Sequence, residues 1–413
     1  MSRSLTELPD QAPGDAPFYP MARAECCPLD PSPELSALSD AVPLAKVRLW
    51  DGSNPWLVTR HAEQRALLGD PRVSADPTKD GYPHPRPGKE LRSSRSRSFI
   101  ALDDPEHARL RRMLSSVFTA RRIEGMREGM QRIVDQFIDE MLAGPRPADL
   151  VSAFALPVPS LVICQLLGVP YADHEFFQRL SQAGINRDTP AGIALAAAEE
   201  LLEYLDNLIG RKLADPGDDL LSRVAAERVA TGELTRQELA AMGRLMLVAG
   251  HETTANMIAL GTFALLTNPD QLELVRGTDD PKLIASTVEE LLRYLSIVHT
   301  GRRRVALADI EISGQVIREG EGIVCPNEIS NRDAAVFTDP DELDVSRDAR
   351  QHLAFGFGIH QCLGQPLARV ELQVVYGTLF KRIPTLALAV DPAAIPFKHD
   401  GIVYGVYELP VTW

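Results

Sequence analysis

The feature that most constrains this chain is Phe355-Gly356-Phe357-Gly358-Ile359-His360-Gln361-Cys362-Leu363-Gly364. Three glycines in ten residues imply a tight backbone that can approach a flat object closely. Residues 367–379 then carry a helical pattern, and Pro366 suits a first helical turn. A thiol near a helix N-terminus has its thiolate favoured by the dipole and by unpaired N–H groups, as a metal-ligating cysteine requires. Lone cysteines are more often inert core residues, but the glycine frame argues against that reading here. Zinc does not fit, because Cys362 and His360 have no second Cys or His pair at the usual spacing.

Composition narrows the function. Over 413 residues, 43 basic against 57 acidic side chains give a net charge of −14, the wrong sign for a nucleic-acid binder. The 45% hydrophobic and 24% charged content is that of an ordinary globular protein. The five cysteines (Cys26, Cys27, Cys164, Cys325 and Cys362) are an odd, scattered set, so no disulfide framework is expected. No secretory signal opens the sequence, and a reducing cytoplasm is the expected location. The apolar stretches 151–169 and 245–268 are read as buried helices rather than membrane spans. Prolines interrupt the first, and His251 and Glu252 would be costly in lipid in the second.

The expected organisation is a loosely held tail (1–30) followed by one domain (31–413), mainly α with a small β region. Lys46-Val47-Arg48-Leu49-Trp50 and Trp56-Leu57-Val58 read as a hairpin. Residues 75–99 form a long Pro- and Gly-rich loop, of the kind usually functional or mobile. Helical spacing runs from Pro105 to about Met141 and dominates through residue 296, and alternation returns between Val305 and Val324. A central helix is predicted to start at Thr235, where Glu238 three residues on makes a capping box. With no proline until Pro269 it has room for roughly nine turns. Its apolar residues fall on every face, so it must cross the core.

At these residues a family is recognisable. Phe355, Gly358, Cys362 and Gly364 match the haem-thiolate loop of cytochrome P-450 position by position. Ala249-Gly250-His251-Glu252-Thr253-Thr254 resembles the oxygen-activating motif of that family's central helix. Glu290-Leu291-Leu292-Arg293 resembles its Glu-x-x-Arg, and Asn331-Arg332-Asp333 with Leu343-Asp344-Val345-Ser346-Arg347 resembles the meander before the loop. Leu343 stands where many members carry Phe. Similarity extends over nearly the whole chain, to a bacterial branch that hydroxylates sulfonylureas, vitamin D and natural products. The resemblance implies a triangular helical fold with haem b between the central helix and the Cys-loop helix.

It also implies roles. Cys362 would be the axial ligand on iron, and Phe355, Gly356 and Gly364 would frame the haem. His107, Arg111, Arg304 and His360 would face the propionates, which need cationic or N–H donors. Arg304 is preferred to Arg303 by alignment to the following Ala308-Asp309. Glu252 and Thr253 would deliver protons to dioxygen. The bland alternative is that Thr253 and Thr254 bond back to carbonyls four residues earlier and only bend the helix. Glu290, Arg293 and Arg347 are expected to be structural. The substrate pocket is expected from the 75–99 loop, residues 176–198, Leu245, Met246, Ala249, Ile297, Val298, His299, Ile402 and Val403. Lys79, Arg86, Lys89, Arg92, Arg95 and Arg97 face few acids (Asp76, Asp80 and Glu90), which suggests selection of an acidic substrate, a solvated loop or a shield on the propionate side, the latter two being the commoner explanations of a charge run.

The activity so implied is hydroxylation or epoxidation of a small-to-medium hydrophobic substrate, a natural product for preference. It would use dioxygen and electrons from NAD(P)H through ferredoxin reductase and ferredoxin, in a monomeric enzyme without membrane or nucleic-acid partners. The rivals are a peroxygenase, which would not need the Glu252–Thr253 pair, an oxidative-coupling enzyme that never inserts oxygen, and a non-catalytic haem sensor, for which no output module is seen.

Overall fold

The computed structural model describes residues 16–24, 27–87 and 98–413; Cys26, Lys89, Glu90, Arg92, Arg95 and Arg97 lie outside the described residues. The longer helices are α1 (Glu106–Ser115), α2 (Arg127–Ala143), α3 (Pro157–Leu167), α4 (His174–Ile185), α5 (Ala191–Ala214), α6 (Arg236–Leu266), α7 (Pro281–Leu295) and α8 (Gln365–Arg382). The capping box forms as the sequence implies. The Glu238 N–H donates to Thr235 Oγ1 at 3.1 Å, and the Thr235 N–H donates to the Glu238 carboxylate at 2.8 Å. From there α6 crosses the core against α3, α5, α7 and α8, and most residues from Leu239 to Leu265 are buried.

The continuous helix expected up to Met141 is interrupted. At Thr119 the backbone leaves helical geometry (ψ 145°), and Val117 and Phe118 turn into the core at 5% and 7% exposure. Burial of two large apolar groups outweighs helical continuity there.

The β region flanks this bundle. Strands β1 (Leu44–Lys46), β2 (Trp56–Val58), β3 (Val73–Ser74), β4 (Arg302–Ala306) and β5 (Gly322–Cys325) form one sheet in the order β1-β2-β5-β4-β3. The hairpin pairs Leu44 with Val58 and Lys46 with Trp56, so its first strand begins two residues before the alternating run suggested. In the antiparallel β4–β5 pair, Arg302 lies opposite Cys325 and Arg304 opposite Ile323. Strand alternation therefore puts Arg302 and Arg304 on one face and Arg303 on the other, where Arg303 donates to Pro83 O at 2.9 Å.

Residues 16–24 are not a loose tail. Tyr19 is buried, and Arg23 forms a buried ion pair with Glu328 at 3.1 Å. Arg23 also donates to the carbonyls of Leu29 and Ser296 and lies 4.2 Å over the Tyr404 ring. Burial pushes the Glu328 carboxyl up to about 7 despite the opposing charge of Arg23. Buried carbonyls need donors, and those Arg23 supplies to Leu29 and Ser296 tie the segment in place.

Two adjacent carboxylates on α7 hold the polypeptide that carries Cys362. Fully buried Glu290 accepts from Arg293 at 2.7 and 2.8 Å, from Arg347 Nε at 3.2 Å and from the Asp344 N–H at 3.0 Å. Arg293 donates onward to the carbonyls of Asn331, Pro340 and Glu342. Removing one member of such a buried network leaves a stranded charge, at a cost of about 3–5 kcal/mol. Its neighbour Glu289 accepts from Arg369 at 2.6 and 3.0 Å and meets His352 Nε2 at 3.1 Å. Burial would raise the Glu289 carboxyl, but His352 and Arg369 outweigh it and hold it near about 2.

A carboxylate depressed in the folded state stabilises above its unfolded value, near 4.5, and loses that contribution as pH falls towards about 2. Glu289→Gln is therefore expected to lose about 3 kcal/mol at pH 7 in urea unfolding. The pH dependence of its stability between about 4.5 and 2 should be flatter than in the wild type.

Candidate active site

The loop from Phe355 to Gly364 turns back on itself, with the Cys362 N–H donating to Phe355 O at 2.8 Å. Two glycines are required there. Gly356 and Gly358 adopt φ of +75° and +73°, and a Cβ on Gly358 would lie 2.2 Å from Leu68 O. A Cβ on Gly356 would lie 2.8 Å from Arg302 Nε. Gly364 then caps α8, with Pro366 in its first turn. Phe355 is stacked against the Arg369 guanidinium at 4.6 Å, so the Glu289 network described above also orients the ring beside the thiol.

Cys362 lies in the wall of a cavity lined along α6 by Leu245, Met246, Ala249, Gly250, Thr253, Thr254 and Met257. These positions recur at three- and four-residue intervals and form one helical stripe. Phe99, Ile100, Phe118, Ile163, Leu292, Ile297 and Val298 add apolar wall, and Arg111, Arg302, Asn327, His360 and Gln361 add polar groups near the loop. The space, its open mouth included, is about 1340 Å³.

Cys362 is exposed to this cavity and otherwise enclosed by protein. Burial raises its thiol pKa, against the Gly364 N–H and the charges of Arg302, Arg111 and Arg369, and the net direction is up. The helix-terminal pull read from the sequence is thus present but outweighed by desolvation in the bare chain. A cation beside the sulfur would reverse that balance, since a coordinating thiol is deprotonated outright.

The predicted anion-facing residues gather at one edge. The His107 and His360 rings lie 4.2 Å apart. Arg111 donates to Gln361 O at 2.6 Å. Burial, then the charges of Arg304, His107 and Arg111, push the His360 imidazole down to about 3. Both His360 nitrogens and His107 Nε2 are buried without a hydrogen-bond partner among the described residues. Buried polar atoms are rarely left unpaired, so this edge is built for an acceptor from outside the chain. A haem fits: its propionates would take these donors while Cys362 takes the iron. Arg302, which sequence reasoning passed over, also lines the cavity and bonds Ala354 O at 2.7 Å and Asn327 Oδ1. The alternation of β4 is the signal that points to it.

The oxygen-side motif divides. Thr253 and Thr254 line the cavity, and their hydroxyls donate to Ala249 O at 2.7 Å and Gly250 O at 3.1 Å. With its O–H so engaged, Thr253 Oγ1 is left as an acceptor. Glu252, about 100° further round the helix, is outside the cavity lining and buried, with Oε1 3.6 Å from His251 Nε2. Burial would raise this carboxyl, but His251 and the charge of Lys398 outweigh it and leave it below its ordinary value.

Several pocket expectations need correction. His299 is buried behind the wall, its Nε2 2.8 Å from Gly401 O, and burial together with the charge of Arg23 takes it down to about 3. Ile402 and Val403 also stand behind the lining, where the Ile402 N–H donates to Ile185 O and the Tyr404 N–H to Ile297 O. No residue from 176 to 198 is in the lining, and among the described residues of 75–99 only Phe99 is. Of the basic loop, Arg86 donates to Gly184 O and Asn186 O rather than into the cavity. The missed walls, Phe118, Ile163 and Leu292, come from three separate elements that only tertiary packing brings together.

Comparison with known proteins agrees with this geometry. A family model described as Cytochrome P-450 matches residues 279–398. Cytochrome P-450 GfsF of Streptomyces halstedii is 58% identical over 412 residues, 99% of each chain. Its crystal structure superposes with a TM-score of 0.90, covering 96% of this chain and all of that one. Vitamin D3 dihydroxylase of Streptomyces griseolus is 49% identical over 97% of both chains. The mycinamicin VIII C21 methyl hydroxylase MycCI of Micromonospora griseorubida, solved with mycinamicin VIII bound, is 42% identical with a TM-score of 0.90, covering 96% and 100%.

The orphaned imidazoles make a testable statement. The double variant His107→Phe/His360→Phe is expected to release haem severalfold faster than wild type, read by transfer to apomyoglobin, with helical content unchanged in circular dichroism.

Proposed function

The chain belongs to the cytochrome P-450 family of haem-dependent monooxygenases, and on that premise we propose that it hydroxylates or epoxidises a hydrophobic natural product. The observation that carries this reading is the opposition of Cys362 to the apolar α6 stripe bearing Thr253 across one cavity. Bound haem would supply dioxygen activation, with electron donation from the thiolate favouring O–O cleavage. The chain supplies the rest. Cys362 ligates, with Phe355, Gly356 and Gly364 framing it; His107, Arg111, Arg304 and His360 hold the propionate edge; Leu245, Met246, Ala249, Ile297 and Val298 exclude water and orient an apolar substrate. Thr253 Oγ1 accepts a hydrogen bond from the cavity side, and Glu252 feeds protons to it from the buried flank of α6.

A natural product is the substrate class favoured by the apolar wall and by relatives such as the mycinamicin hydroxylase. Electrons come from NAD(P)H through a ferredoxin reductase and a ferredoxin. We take residues 31–413 as one catalytic unit working as a cytoplasmic monomer. Among the described residues no helix is long and apolar enough to cross a membrane.

The test is reconstitution with a ferredoxin, its reductase and NADPH under isotopically labelled dioxygen, using a panel of hydrophobic natural products that bind with a spin-state shift. One labelled oxygen atom per product molecule is expected. Thr253→Ala should keep substrate binding but divert most of the NADPH consumed to hydrogen peroxide. Products lacking the label, or full turnover driven by peroxide in Thr253→Ala and wild type alike, would favour the peroxygenase reading.

A further inference from the structure

A buried carboxylate beside a reaction cavity is costly unless it is partnered, and Glu252 Oε1 has no hydrogen-bond partner among the described residues. His251 Nε2 is 3.6 Å away, an ion-pair rather than a hydrogen-bond distance, and that nitrogen is itself without a partner. His251 Nδ1 is engaged with Leu247 O at 2.7 Å. One turn on from Glu252, Asn256 donates from Nδ2 to the Glu252 carbonyl at 2.7 Å, while its Oδ1 accepts from Lys398 Nζ at 3.1 Å. A partly buried ammonium is thereby held against the same face of α6 as the carboxylate.

Lys398 is placed there by its own loop. Its N–H donates to Gly405 O at 2.8 Å, and a Cβ on Gly405 would lie 1.7 Å from Asn256 Oδ1, so the C-terminal loop presses directly on α6. Three carboxylates act on the Lys398 charge: Glu252, Asp400 and Asp149. Two are satisfied elsewhere. Asp400 accepts from Tyr407 at 2.6 and 2.7 Å and from Asn186 at 2.6 Å. Asp149 accepts from the N–H groups of Val151, Ser152 and Leu409 and from the Ser152 hydroxyl. Glu252 is left facing the His251 imidazole at 3.6 Å and the Lys398 charge, with no donor within hydrogen-bond distance of Oε1 among the described residues.

We propose that Lys398, fixed by Asn256, is a positioning residue that together with the adjacent His251 keeps Glu252 ionised beside Thr253. A carboxylate kept charged can take up a proton from one side and give it up on the other; one kept neutral by burial is already loaded and releases its proton only at the cost of leaving a bare buried charge. The inference rests on Glu252 serving as proton donor in the oxygenase reading, and it assigns to the C-terminal loop a part in proton delivery. The same loop is tied to the α4–α5 connector through Asn186 and Arg187, whose N–H donates to Asp400 O at 2.8 Å.

The experiment compares the haem-loaded wild type with Lys398→Met, which keeps the stem packing, Lys398→Arg, which keeps the charge, and Lys398→Met/Glu252→Gln. Lys398→Gln replaces the methionine variant if that one does not fold. Infrared spectra are expected to gain a protonated-carboxyl band in Lys398→Met that is absent from wild type, Lys398→Arg and the double variant. In turnover, Lys398→Met should show a severalfold larger solvent deuterium isotope effect and more hydrogen peroxide per NADPH, with Lys398→Arg restoring both. No new band in Lys398→Met, or one that persists in the double variant, overturns the proposal. The infrared arm needs no substrate turnover, so a protein that fails to oxygenate any substrate would sink the oxygenase reading while the infrared bands still report whether Lys398 sets the charge of Glu252.

Discussion

The site depends on the paired carboxylates of α7. Glu290 grips Arg293, Arg347 and the Asp344 N–H, and Glu289 grips His352 and Arg369. Arg347 and His352 precede the Cys362 loop and Arg369 follows it, so one turn of one helix clamps both flanks. Such buried ion networks are weak evidence of net stability, because desolvation offsets most of the Coulombic gain. What they provide is position. With both ends fixed, the glycines at 356 and 358 can fold the backbone against Arg302 and Leu68 and leave the thiol facing the cavity.

That geometry explains why an apolar cavity and a charged edge coexist. Cys362 has to sit where water is scarce, and burial there raises its pKa in the bare chain. His107 and His360 have to present N–H groups to an anion, and among the described residues His107 Nε2 and both His360 nitrogens find no partner. Each is a local cost for the polypeptide alone, and one ligand carrying a metal and two carboxylates relieves both.

Local signals were legible in the sequence. The glycine pattern around Cys362, the Thr235–Glu238 capping box and the Glu290–Arg293 spacing each specify geometry within a few residues, and each forms. Long-range placements were not. Nothing in the spacing of Glu289 names His352 or Arg369 as its partners, and nothing near Glu252 names Lys398, 146 positions later in the chain. The helical run up to Met141 broke because Val117 and Phe118 found burial, a tertiary gain that periodicity does not report. His299, Ile402 and Val403 were placed one layer too far inward, because apolar character does not tell the inner face of a wall from the outer.

The central claim is that Cys362 is the thiolate ligand of a haem held at this site. The most direct measurement is the carbon monoxide difference spectrum of the dithionite-reduced protein, with Cys362→Ser beside wild type. A band at roughly 450 nm in wild type that is lost in the variant is the predicted result. A band at roughly 420 nm in correctly folded wild type, or one at 450 nm that survives in Cys362→Ser, would contradict it.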